Sequence, residues 1–340
     1  MTEKLFTPVT LGGKNPIVLQ HRISMAPLTR LRAGAAGVQP EIAATYYAQR
    51  STEGGLIIAE ATNISPTARG YFGSPGIFSQ EQVDAWKVVT DAVHAKGGKI
   101  FLQLWHTGRV GHPKNQPNGE LPVSSSSNME ITGQGRIPTP DGREAFVAPR
   151  ALETDEIPGI AQDYKTATVN ALAAGFDGVE LHAANGYLLE HKVGIRLSPY
   201  GASFGQFESD VFGTYSYVLN KLNDYDLAYA HLIEPRSFHY DNPNAPKDGA
   251  THQFRPVYKG VLMTASGYDR ESAIKVVEDG DADIVAIGRY FISNPDIVKR
   301  FQLNAHVRPY DASSFYLAGE LGYTDQPFLE EEEKEEASQP

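Results

Sequence analysis

The sequence predicts an α/β fold, an eight-stranded parallel (β/α)8 barrel, and three observations carry that prediction. Eight short apolar or β-branched runs, at 22–28, 56–62, 99–105, 177–182, 193–199, 227–234, 261–266 and 283–288, alternate with longer segments of helical periodicity. Several are apolar almost throughout, as in Gly55-Leu-Ile-Ile-Ala-Glu60, which is the pattern of strands covered by helices. The ends of the runs are unusually polar, and such barrels place their chemistry at the C-terminal ends of the strands.

The helices between the runs have readable starts. Ser79 with Gln82 forms a capping-box pattern ahead of Val83, Trp86, Val89 and Val93, and Gly97-Gly98 ends that helix. Thr154 opens a second, through Ile160, Tyr164, Ala167 and Leu172 to Gly175, and Asp269 a third, through Ala273, Val276 and Val277 to Gly280. Asn294-Pro295 places proline at the first turn of the last one. The Pro-, Gly- and Ser-rich stretch 108–152 is far longer than an ordinary βα loop and reads as a lid or capping excursion, with Ser124 to Ser127 in solvated loop.

The 340 residues fit one barrel domain over 1–329, because barrels of this class commonly run to several hundred residues. Residues 330–340 read as a disordered acidic tail, since Glu330 to Glu336 holds six glutamates and one lysine. With a net charge of −11, neither a nucleic acid nor an anionic membrane is expected as a partner. The absence of cysteine excludes disulfides, thiolate nucleophiles and sulfur-ligated metals. No His-Glu-x-x-His occurs and no metal is expected. The N-terminus has no signal-peptide pattern and the apolar runs are too short to span a bilayer, so a cytoplasmic protein, monomeric or weakly dimeric, is expected.

Strand ends seven and eight carry Ser266-Gly267 and Gly288-Arg289, where glycine admits backbone N–H groups to an anion and arginine adds a fork of donors. A phosphate is the expected ligand there. His182 and Asn185 lie three residues apart at the end of strand four, spaced to hold one carbonyl or phenolate oxygen between two donors. Tyr187 is a candidate general acid, Gln103 can pair with a heterocycle edge, and Arg196 can stabilise negative charge on such a ring.

These residues sit in motifs that resemble the old yellow enzyme family of FMN-dependent ene-reductases, and within it the 12-oxophytodienoate reductase-like branch. The motifs are Met25-Ala-Pro-Leu-Thr-Arg30, Gly70-Tyr-Phe-Gly-Ser-Pro-Gly76, Phe101-Leu-Gln-Leu-Trp-His-Thr-Gly-Arg109, His182-Ala-Ala-Asn-Gly-Tyr-Leu-Leu189, Val193-Gly-Ile-Arg-Leu-Ser-Pro199, Gly288-Arg-Tyr-Phe-Ile-Ser-Asn-Pro295 and Gly322-Tyr-Thr-Asp325. The resemblance implies non-covalent FMN at the barrel mouth, with Pro27, Thr29, Ala61, Gln103 and Arg196 around the ring and Ser266, Gly267, Gly288 and Arg289 on the phosphate. It further implies His182 and Asn185 on the substrate carbonyl, Tyr187 as proton donor, Tyr71 and Tyr316 lining the substrate side, and NADPH as hydride donor. Gly133-Gln-Gly135 does not complete a dinucleotide fingerprint, which fits a nicotinamide that visits the flavin without a domain of its own.

The chain departs from the family pattern in one place. After Leu189-Glu-His-Lys192 it runs directly to Val193, so some forty residues, including most of the helix between strands four and five, are missing. Strand register is expected to survive at reduced stability. That gap leaves a flavin-binding barrel with impaired turnover as an alternative, and strand-end carboxylates Glu60, Glu180 and Glu234 leave a flavin-free hydrolase as a weaker one.

Overall fold

The computed structural model describes residues 3–13, 15–127, 135–184, 194–201, 203, 208–236 and 244–338. Its barrel strands are β1 (Ile23–Met25), β2 (Leu56–Asn63), β3 (Lys99–Trp105), β4 (Gly178–Ala183), β5 (Gly194–Leu197), β6 (Ala230–Ile233), β7 (Leu262–Ala265) and β8 (Ile284–Ile287). They pair in parallel in chain order, and β8 closes on β1. Each falls within a run expected to be a strand, extended by one residue at β2 and β4. Several are shorter, β1 because Pro27 has no N–H to offer a ladder.

Side chains alternate between the inside of the barrel and the helical layer. Ala26, Leu56, Ile58, Phe101, Tyr229, Met263, Ala265, Ile284 and Ala286 form one interior cluster, while Ile57, Ile100, Leu102, Val179 and Val285 pack outward. Glycine is required twice inside: a Cβ on Gly178 would lie 2.6 Å from the Phe101 ring, and one on Gly194 2.8 Å from Tyr229. The floor of the barrel is covered by a hairpin of Val9–Thr10 and Val18–Leu19, whose Leu11 and Leu19 join the interior cluster.

The helices are α1 (Ile42–Gln49), α2 (Gln80–His94), α3 (Ile157–Ala173), α4 (Val211–Leu222), α5 (Ala250–Phe254), α6 (Arg270–Glu278), α7 (Arg289–Ser293), α8 (Ile297–Leu303) and α9 (Leu329–Ala337). The Ser79/Gln82 capping box is formed, and α2 buries Val83, Trp86, Val89 and Val93, at about 1.5–3 kcal/mol for each large side chain. Pro295 stands just outside its helix, because Asp296 caps α8 and Ile297 begins it.

The expectation of a disordered tail is corrected: α9 is docked. Glu332 meets Arg300 at 2.8 Å and Arg308 at 3.0 Å, Glu330 pairs with Lys299, and the Leu329 N–H donates to Asp296 at 2.7 Å. Like charge within the tail is outweighed by cations presented from α8 and the segment after it.

The 108–152 excursion contains an antiparallel hairpin, Arg136–Thr139 with Gly142–Ala145, and is tied to the loop after β2. Asn115 donates to the carbonyls of Gly70 at 2.7 Å and Pro138 at 2.9 Å. Only ten residues separate β4 from β5, yet Glu180 pairs in register with Gly194 and His182 with Arg196. The barrel therefore closes across the shortened connection, as a chain able to extend about 33 Å over ten residues permits.

Candidate active site

At the C-terminal mouth of the barrel lies a cavity of about 510 Å³, a size suited to a cofactor. It is floored by small or aliphatic ends of strands, Ala26, Ile233, Ala265 and Ala286, which leave the space that larger side chains would fill. Pro27, Arg196, Ser266, Gly267, Gly288 and Arg289 all line it, so six residues from four separate stretches of the chain converge. Ser266 (φ +94°) and Gly267 (φ +72°) are consecutive residues at positive φ, a loop geometry that turns backbone N–H groups toward an anion. Ser266 adopts it at a cost of about 1–3 kcal/mol. A Cβ on Gly288 would project between Leu28 and Ala26, 3.5 and 3.9 Å away, both of which line the same space. Arg289 donates to the Tyr310 hydroxyl at 3.0 Å.

Arg196 sits on the inward face of β5, in register with His182 on β4 and His231 on β6. Burial drives the His182 imidazole well below its usual pKa, and the charge of Arg196 pushes in the same direction, so it is a neutral ring at physiological pH. It is the last of three parallel rings. Tyr71 stacks on Trp105 at 5.5 Å, and Trp105 on His182 at 6.1 Å with 9° between planes. Trp105 is itself held by its indole N–H, which donates to Asn63 at 2.9 Å.

Gln103 lies one layer below His182 and donates to Glu180 at 2.7 Å. Thr29, beyond β1, and Ala61, in the irregular stretch where β2 shifts register against β3, do not line the cavity. Tyr316 is 58% exposed and meets Phe315 edge-on. Asn185 and Tyr187 lie outside the described residues.

The three carboxylates considered for hydrolysis are each buried and committed elsewhere. Glu60 accepts from Gln39 and the Arg30 N–H, Glu180 from Gln103 and His231, and Glu234 from the N–H groups that open α5. Burial raises the Glu60 carboxyl, but its oxygens are already engaged by those donors.

Sequence reasoning missed Arg236, Tyr310 and the role of Trp105. Arg236 lines the cavity with its guanidinium 4.8 Å over the Tyr268 ring, and its place two residues beyond Glu234 at a strand end was the available signal. Tyr310 arrives from a loop with no pattern of its own.

The donor set fits FMN: arginines and a backbone nest suit a phosphate, and aliphatic walls suit a flat ring. The model of the NADH:flavin oxidoreductase / NADH oxidase family matches residues 4–191 and 189–307, two stretches that meet at the β4–β5 connection. The chain is 43% identical to 12-oxophytodienoate reductase 1 of Oryza sativa subsp. japonica over 371 aligned positions, covering 97% of this chain and 94% of the relative. Since 97% of 340 residues is about 330, some forty positions of the alignment have no counterpart here. It is 40% identical to 12-oxophytodienoate reductase 7 of the same plant, over 92% of each chain. Morphinone reductase superimposes with a TM-score of 0.89 at 40% identity over 97% of both chains, and its complex with tetrahydroNAD at 0.86. With matches of this extent across the barrel and through the cavity, the chain belongs to the NADH:flavin oxidoreductase / NADH oxidase family, the old yellow enzymes, and is an FMN-dependent oxidoreductase.

Proposed function

We propose that this protein reduces the C=C bond of α,β-unsaturated carbonyl compounds, with NADPH as the source of electrons, as a 12-oxophytodienoate reductase-like enzyme. The observation that supports it most directly is the neutral, buried His182 in register with Arg196, which lines the cavity. Bound FMN would accept hydride from the nicotinamide and pass it to the alkene β-carbon. Ser266, Gly267, Gly288 and Arg289 would hold the phosphate, Arg196 would face the ring where negative charge accumulates, and Gln103 would pair with its polar edge. Pro27, Thr29 and Ala61 are assigned to the opposite edge of the ring by the family resemblance.

His182 would donate to the substrate oxygen as that oxygen gains negative charge, with Asn185 as its partner donor. Donors of this kind act in the transition state and contribute about 10²–10³ in rate each. A neutral imidazole serves because it gives a hydrogen bond without surrendering its proton. Tyr187 would supply the proton to the α-carbon, and Tyr71 and Tyr316 would bound the substrate side. NADPH and the enone would use one mouth in turn.

The test is an absorption spectrum of the purified protein followed by NADPH consumption with cyclohexenone. A yellow protein whose flavin is bleached by NADPH and recoloured by the enone is expected; a colourless protein that takes up no FMN would overturn the reading. The forty absent positions adjoin Asn185 and Tyr187 and favour a second reading, a barrel that binds FMN without completing turnover. Bleaching by NADPH with no recolouring by the enone would identify it.

A further inference from the structure

Beneath the cavity, inside the barrel, four polar side chains from four strands meet in an otherwise apolar interior. Glu180 of β4 is fully buried. Its carboxylate accepts from Gln103 Nε2 of β3 at 2.7 Å and from His231 Nδ1 of β6 at 2.9 Å. Arg196 of β5 is in register with His231 and is the only one of the four that lines the cavity. The groups facing Glu180 are thus Gln103, Arg196, His231 and Tyr229, with His182 two residues further along its own strand.

An isolated carboxylate would be neutralised at such a depth. Here His231 and Arg196 hold the carboxyl below its usual pKa against the effect of burial, so it stays ionised. An ionised carboxylate can only accept hydrogen bonds. Two consequences follow from that chemistry. The Gln103 amide has one permitted orientation, nitrogen toward Glu180 and oxygen away, which leaves its oxygen as the acceptor it would offer an imide N–H of a bound ring. His231 must carry its proton on Nδ1, and its Nε2, which has no hydrogen-bond partner among the described residues, is the bare nitrogen of a ring that burial keeps neutral.

We propose that the Glu180–His231 pair is a positioning dyad for the cofactor, fixing the Gln103 amide and balancing the Arg196 charge, and that it thereby sets how tightly oxidised and reduced FMN are held. This rests on reading the cavity above as the flavin site. Glu180 touches no reacting atom and acts through Gln103 and Arg196.

The experiment measures binding of oxidised and reduced FMN to apoprotein, with the flavin midpoint potential, for wild type, Glu180→Gln, Gln103→Leu and the double variant. In Glu180→Gln the amide of Gln103 loses its enforced orientation and Arg196 loses its counter-charge. Oxidised FMN is expected to bind at least tenfold more weakly, reduced FMN to lose less, and the potential to move positive, because removing a negative charge beside Arg196 favours the more negative flavin. In the Gln103→Leu background the same substitution should cost less than threefold in oxidised FMN affinity, since the shared partner is gone.

If Glu180→Gln does not fold, His231 carries the test. His231→Leu removes the donor, so Glu180 protonates more readily and FMN affinity should fall as pH is lowered; His231→Asn keeps an N–H near Nδ1 and should bind FMN independently of pH as wild type does. Wild-type affinity and potential in Glu180→Gln, an undiminished cost in the Gln103→Leu background, or the same pH profile in both His231 variants would each overturn the proposal. Wild-type apoprotein that takes up no FMN would instead overturn the flavin reading and the proposal with it.

Discussion

The Trp105 indole lies parallel to the His182 imidazole, 6.1 Å between ring centroids and 9° between planes, and its own N–H is anchored on Asn63. Trp105 is therefore the wall that fixes the tilt of the proposed carbonyl donor. Trp105→Leu should leave flavin uptake intact but lower enone turnover about tenfold, on the order of 1.4 kcal/mol of transition-state stabilisation. Stopped-flow of the two half-reactions checks this: the step driven by NADPH should change less than the step driven by the enone.

His182 itself sets a pH expectation. Because burial and the neighbouring Arg196 charge depress its pKa, the imidazole stays neutral as pH is lowered through 6.5, and the rate of enone reduction should show no ionisation there. His182→Ala should reduce that rate by about 10²–10³, as for other donors at a developing oxyanion. A pH-rate profile with a break near the ordinary histidine value, abolished in the variant, would refute a neutral donor.

Arg289 is expected to separate FMN from riboflavin. Its charged hydrogen bonds to a phosphate should contribute about 1.5–3 kcal/mol, so Arg289→Ala should weaken FMN roughly ten- to hundredfold. Riboflavin lacks the phosphate and should bind wild type and variant alike; fluorescence titration of apoprotein with both flavins measures the difference.

Two buried histidines away from the site predict the acid limb of stability. Burial lowers His21 and His106 to about 4, so from about pH 6.5 down to 4 the unfolded chain binds protons that the folded chain refuses. Unfolding gains as pH falls through that window, about 3 kcal/mol for each group, and the full stability is present above it. Urea unfolding at pH 7, 5.5 and 4.5 should show a falling midpoint, and His106→Gln should flatten the slope; a midpoint independent of pH would contradict the burial argument.

The helices on either side of the shortened β4–β5 connection carry apolar side chains in water. Val169 and Leu172 on α3 are 59% and 56% exposed, and Phe212 on α4 is 51% exposed. Inserting the corresponding forty residues of the rice relative should cover part of this surface at about 1.5–3 kcal/mol per large side chain and raise the melting temperature by several degrees. A chimera that melts at or below the parent temperature would show that the present barrel has adapted to the gap.

Most of the barrel was legible because eight buried strands leave continuous apolar runs, and capping residues such as Ser79 and Asp269 mark where helices begin. The convergence of Gly267, Gly288 and Arg289 on one cavity was legible for a related reason: they follow the seventh and eighth strands, and parallel barrels gather strand ends at one mouth. Arg236 and Tyr310 escaped notice because their proximity is made by tertiary packing, which no spacing encodes. Glu180 entered only the weaker hydrolase alternative, and a sequence does not reveal that its oxygens face Gln103 and His231 inside the barrel. The acidic tail was misjudged from its own charge, when Lys299, Arg300 and Arg308 decided its fate.

The hairpin of Val9–Thr10 and Val18–Leu19 acts as a stopper, with the Gly12 N–H donating to Ala228 at 3.1 Å beneath the strands. Among the described residues the barrel is then left with its C-terminal doorway. On the proposed function, donor and acceptor would queue at that threshold, each leaving before the other is admitted, and an excess of either should obstruct its counterpart.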